Sequence, residues 1–132
     1  MNLELINYRR EKAKNTLKDA KVMFDKVSHF ATVNRIYYAI FYEVIALLLT
    51  KDLSSSKHSG VRALFNREFI KTGIIREKLG DFYNNMFEFR QKGDYGDFVE
   101  FEKEKVHDWL KKAEYFINAI DEIITDIIEE QK

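Results

Sequence analysis

The residues of this chain able to do chemistry are a small polar set, placed inside apolar helices or at their ends. Asn34 and Arg35 interrupt the most apolar run of the sequence, His58 precedes a predicted helix start, and Arg90, Asp94 and Tyr95 fall in a glycine-bearing segment. A guanidinium is a planar fork suited to gripping phosphate with two hydrogen bonds. Arg90, beside Lys92 and two glycines, is the candidate for that contact. His58 is a candidate general acid or base, or a phosphate contact near a helix N-terminus. An arginine carried into a core is costly unless paired, so Arg35 requires a partner, for which Asp94 is the candidate. Asn34, Tyr38 and Tyr42 recur every four residues on one helix face, a polar-tipped stripe suited to lining a cleft or a subunit interface. The same residues also read as a buried ion-pair network that fixes a turn. Both readings stand at this point.

Other chemistries find no support. There is no glycine-rich phosphate loop after a strand, no HExxH and no paired-cysteine zinc signature, and His29, His58 and His107 have no metal-ligand spacing. Neither a metal nor a cofactor is expected. The absence of cysteine excludes disulfides and thiol nucleophiles. With 22 basic and 22 acidic residues, no global positive field announces a nucleic-acid partner, although a local basic cleft is compatible with that balance.

The elements that must position this set are helices. The chain has 132 residues, no proline and only five glycines, which favours long uninterrupted helices. One domain over residues 1–132 is expected. Ile6, Ala13, Leu17, Ala20, Phe24 and Val27 make one stripe, predicting a helix over 3–27. The run from 30 to 50 is apolar almost all round and belongs at the centre of the bundle, with Ser28 or Thr32 as cap. Asn34, Arg35 and Glu43 argue against its being a membrane span. Tyr37, Tyr38, Phe41 and Tyr42 follow so closely that they point to several faces. A short helix over 60–71 is predicted, capped by Ser59, packed through Val61, Leu64, Phe65 and Phe69, and closed by Gly73. A fourth helix over 75–91 presents Leu79, Phe82, Met86 and Phe89, and ends in a shaped turn. A fifth opens near Asp97, which has capping-box spacing to Glu100. Its stripe runs through Val106, Leu110, Ala113, Ile117, Ile120, Ile124 and Ile127, widened by Trp109, Phe116, Ile123 and Ile128. The fold class expected is all-α, an up-and-down bundle of four long helices plus one short helix. Helices two and five carry more apolar surface than one small bundle buries, so a homodimer is expected. Nothing at the N-terminus has a signal-peptide pattern, so a cytoplasmic location is expected, with no membrane partner.

The ordered set Asn34-Arg35-x-Tyr37-Tyr38-Ala39, Lys57-His58-Ser59-Gly60-Val61, Phe69-Ile70-x-x-Gly73, Arg90-x-x-x-Asp94-Tyr95 and Ala113-x-x-Phe116 resembles the HEPN superfamily, in its small stand-alone branch of the UPF0332 type. The similarity runs from the first helix to Ile120. It implies a helical bundle, often dimeric, of a kind that acts as an RNA-cutting toxin or sits beside a minimal nucleotidyltransferase in a toxin–antitoxin module. Active ribonucleases of the family carry an arginine followed four to six residues later by histidine. Here Arg90 is followed by Asp94 and Tyr95, with no histidine before His107. A carboxylate of ordinary pKa is not the acid that protonates a leaving 5′-oxygen near neutral pH. The resemblance therefore points to Arg90, Asp94 and His58 as candidate catalytic residues, and to Asn34, Arg35, Tyr38, Arg90 and Tyr95 as candidate nucleotide- or RNA-binding residues. Cleavage would be metal-independent, with the 2′-hydroxyl as nucleophile and His58 moving the proton. Binding without cleavage is the second outcome. A non-catalytic dimerisation module using the same residues as a buried network is the alternative of a different class.

Overall fold

The computed structural model describes residues 1–26, 28–95 and 101–132, including all their side chains except those of 93–95. Among the described residues every regular element is helical: α1 (Leu3–Lys26), α2 (His29–Leu49), the short α3 (His58–Phe65), a π turn (Asn66–Ile70), α4 (Glu77–Tyr95) and α5 (Lys103–Glu130). This is the expected all-α bundle of four long helices and one short one.

α2 is the hub, packing against α1, α3, α4 and α5. Its mixed apolar and aromatic faces explain the position, because a helix apolar nearly all round must be covered on several sides. Ile36, Tyr37, Ala39, Ile40, Val44, Ala46 and Leu47 are fully buried. By length and composition α2 could cross a membrane, but 67% of that stretch is enclosed by the rest of the bundle. Ser28 caps it as expected, its hydroxyl accepting from the Ala31 N–H at 3.0 Å.

α1 and α5 bury the stripes read from the sequence. Ile6, Ala13, Leu17 and Ala20 are inside on α1, and Val106, Leu110, Ala113, Phe116, Ile117, Ile120 and Ile124 on α5. The expected capping pair Asp97 and Glu100 lies outside the described residues, as does Val27.

Four details differ from expectation. His58, not Gly60, opens α3, with Lys57 at the cap position and no side-chain cap bond. A Cβ at residue 60 would collide with the Ser55 side chain, so Gly60 lets the loop fold back against the first turn of α3 and fixes where His58 stands. α3 leads into a π turn, in which the Lys71 N–H reaches back to the Asn66 carbonyl at 2.8 Å. α4 carries the buried face Leu79, Tyr83, Met86 and Phe87, whereas Phe82 and Phe89 are half-buried. It also continues to Tyr95, so Arg90 and Asp94 stand one turn apart on a helix rather than in a turn.

Candidate functional site

Of the polar residues singled out in the sequence, Arg35, Tyr38, His58 and Arg90 meet where α2, α3 and α4 come together. Tyr37 and Tyr38 are adjacent on α2, with ring centroids 5.3 Å apart and edge-on. Tyr37 is fully buried and Tyr38 half-buried, so one ring anchors the site and the other forms its wall.

His58 enters from the first turn of α3. Its imidazole lies flat on Phe41, at 4.3 Å between centroids and 2° between planes, and edge-on to Tyr38 at 5.7 Å. Its Nδ1 is 2.8 Å from the Tyr37 hydroxyl. A phenol can donate to or accept from a ring nitrogen, and in either case Nε2 is the nitrogen left to face a ligand. Burial, followed by the positive charge of Arg90, holds His58 below the ordinary histidine range. The ring is therefore neutral at pH 7. Burial pushes the Tyr37 hydroxyl up to about 12, so it stays protonated beside the imidazole. Behind it the buried Tyr83 ring lies 6.1 Å from that of Tyr37, with its hydroxyl raised by burial and by Tyr37.

Arg90 comes from the last turns of α4 and folds over both tyrosines. Its guanidinium carbon is 4.9 Å from the Tyr37 centroid and 5.7 Å from that of Tyr38, and Nη1 donates to the Tyr38 hydroxyl at 3.1 Å. Arg35 approaches Tyr38 from its own helix, 5.1 Å above the ring, while donating from Nη2 to Asn34 Oδ1 at 3.0 Å. Tyr38 thus holds two guanidinium groups on its face.

This geometry corrects the expected burial of Arg35 in the core. Arg35 is half-buried, and its described contacts are local, to Asn34 and Tyr38. Arg90 is the more embedded of the pair, its Nε buried against the aromatic rings. The expected pairing of Arg35 with Asp94, and any part for the side chains of Asp94 and Tyr95, lies outside the described residues. Arg62, missed in the sequence, sits 4.0 Å over the Phe87 ring beneath the site and pairs with Glu88 at 3.0 Å.

A charged residue fully buried in α2 is Glu43, not Arg35. Its side chain faces Asp121 of α5 and Arg10 and Lys14 of α1. Arg10 donates to both oxygens of Asp121, at 2.7 and 3.0 Å, and to Thr125 Oγ1 at 2.8 Å. Asp121 ends below the ordinary range, since the bonds and charges of its neighbours outweigh a burial that would raise it.

The other histidines stand apart. His29 opens α2, with Nδ1 3.2 Å from the Phe101 carbonyl, and stacks on Phe24, against which the His107 ring lies tilted.

The family model described as "HEPN domain" matches residues 6–123. A UPF0332 protein of Thermotoga maritima is 56% identical over 94% of each chain. Two Methanocaldococcus jannaschii proteins, named "Putative toxin MJ0142" and "Putative toxin MJ0605", are 39% and 35% identical. The first match covers 82% of this chain and 74% of the relative, the second 89% and 87%. With the helical bundle in place and the family model spanning nearly all of it, this chain belongs to the HEPN domain family.

Proposed function

We propose that this chain engages the phosphate of RNA or a nucleotide at the α2–α3–α4 junction. In this reading it is a cytoplasmic homodimer, acting as the toxin or accessory partner of a minimal nucleotidyltransferase. The observation that carries the reading is the convergence of Arg35, Arg90 and His58 on the Tyr37–Tyr38 pair. Two guanidinium groups on one half-buried tyrosine, beside an imidazole with one nitrogen fixed, suit an anionic ligand carrying a flat ring. The names of the two Methanocaldococcus jannaschii relatives support the toxin side.

Cleavage in this reading starts when a ribose 2′-hydroxyl attacks its own phosphate. His58, with its proton on Nδ1, accepts the 2′ proton at Nε2 while Arg90 holds the phosphate. The 2′-oxygen–phosphorus bond forms and the bond to the 5′-oxygen breaks, leaving a 2′,3′-cyclic phosphate. The 5′-oxygen takes its proton from water, because no histidine stands four to six residues after Arg90.

The test is fluorescence anisotropy with a 5′-labelled single-stranded RNA, with ATP as competitor, alongside gel analysis of the RNA. Wild type should bind, and Arg90→Ala should weaken binding about tenfold or more. A wild-type protein that binds neither RNA nor ATP would leave the dimerisation module as the better account.

A further inference from the structure

The tyrosine-and-cation arrangement does not stop at Tyr38. Tyr42, one turn further along α2, has its ring 6.0 Å from that of Tyr38. Across the α1–α2 groove, the Lys12 ammonium lies 4.6 Å from the Tyr42 centroid and 5.8 Å from that of Tyr8. The Arg9 guanidinium spans the same two rings, at 5.9 and 5.4 Å. Arg35 lies in the wall of this groove while touching Tyr38, so one side chain belongs to both places. The groove is open, encloses about 430 Å³, and ends at Tyr8, which is 50% exposed.

Alternating rings and flexible cations along an open channel are what single-stranded nucleic acid needs. Every base has a face to stack on tyrosine, and every linkage has a charge for lysine or arginine. Lysine and arginine heads move easily on long stems, so a base can take a ring face while the cation shifts to the neighbouring phosphate. Glu11 and Asp19 also line the groove. They exclude phosphate from their side and leave hydrogen-bond acceptors for base amino groups.

We infer that the α1–α2 groove of Tyr8, Lys12, Arg35 and Tyr42 is an extended subsite that binds the nucleotides adjoining the Arg90–His58 site in a single-stranded RNA. This rests on the function proposed above and adds a length requirement to it. The ligand is a strand of several nucleotides, read by stacking rather than by base identity.

The experiment is a length series of 5′-labelled single-stranded RNAs of two, four and eight nucleotides, titrated by anisotropy at two salt concentrations. Wild type should bind more tightly as length increases. The double variant Tyr8→Ala with Lys12→Gln should bind the two-nucleotide RNA like wild type. It should lose about tenfold or more on the eight-nucleotide RNA, with a shallower salt dependence. Tyr8 is exposed, so the variant should fold, and circular dichroism checks that it does. Equal binding by variant and wild type at every length overturns the inference, and if Arg90→Ala still weakens dinucleotide binding about tenfold or more, the proposed function survives it. Wild-type binding to none of the RNAs overturns both. A changed sedimentation coefficient with unchanged RNA binding assigns the groove to a protein contact and also overturns it.

Discussion

Glu43 gives the sharpest handle on how this bundle holds together. Its carboxyl group is fully buried beside the Asp121 carboxylate, to which its protonated form donates. Burial first, and Asp121 second, push it up to about 9 from an ordinary 4.5, against the pull of Arg10 and Lys14. The folded chain therefore keeps this proton where the unfolded chain has released it. Stability contributed by the raised group is fully present below about pH 4.5 and drains away as pH rises towards 9. The slope in that window is about 1.4 kcal/mol per pH unit. Asp121 is shifted the other way and titrates at acid pH, His58 titrates below its ordinary range, and Tyr37 titrates near 12, so pH 7 to 9 isolates Glu43. Between those limits wild type should lose about 2 kcal/mol of unfolding free energy. Glu43→Gln keeps the shape and has a neutral polar head in both folded and unfolded chains, so it should escape this loss, exceed wild type by about 3 kcal/mol at pH 7 and show a flat profile above it. Urea melts of both proteins at pH 7, 8 and 9 measure the difference. Parallel profiles would refute the reasoning, because they would mean that Glu43 is already ionised in the folded chain.

The two arginines should separate in the same assay. Arg90→Ala should cost about 1–3 kcal/mol, from lost ring contacts and the hydrogen bond to Tyr38. Arg35→Ala, with its local contacts, should cost about 1 kcal/mol or less; a larger loss for Arg35 would restore the role first expected of it. His58 should titrate by NMR below the ordinary histidine value. In Arg90→Ala it should move part of the way back, with burial accounting for the remainder. No movement at all would show that the Arg90 charge does not reach the ring.

The helical stripes were legible because burial against neighbours repeats with the helix period, and α1 and α5 bury the residues that period selects. Glu43 was equally legible in principle. It stands seven residues after Ile36, four after Ala39 and three after Ile40, on the most deeply buried face of α2, yet Arg35 drew attention as the first charge in the run. Its neighbours were not legible, since nothing along the chain marks Asp121 among the acidic residues or Arg10 among the basic ones. The convergence of Arg35, His58 and Arg90 was legible as a set of types and not as a geometry. Which arginine is embedded depends on α4 running on through Gly93 to Tyr95. A glycine in a helix costs about 1 kcal/mol, a weak local preference that the surrounding structure overrides here.

The placement of α2 also bears on how the chain finds its fold. Its most extensive partner is α1, its immediate predecessor, joined to it through little more than the Ser28 cap. Closing so short a loop costs little entropy, so an α1–α2 helical hairpin is the cheapest nucleus on offer. α5, by contrast, must return from the far end of the sequence to cover the remaining faces. On that order of events, softening Ala13 or Ala20 against α2 slows folding, whereas softening Leu79 or Met86 on α4 mainly hastens unfolding.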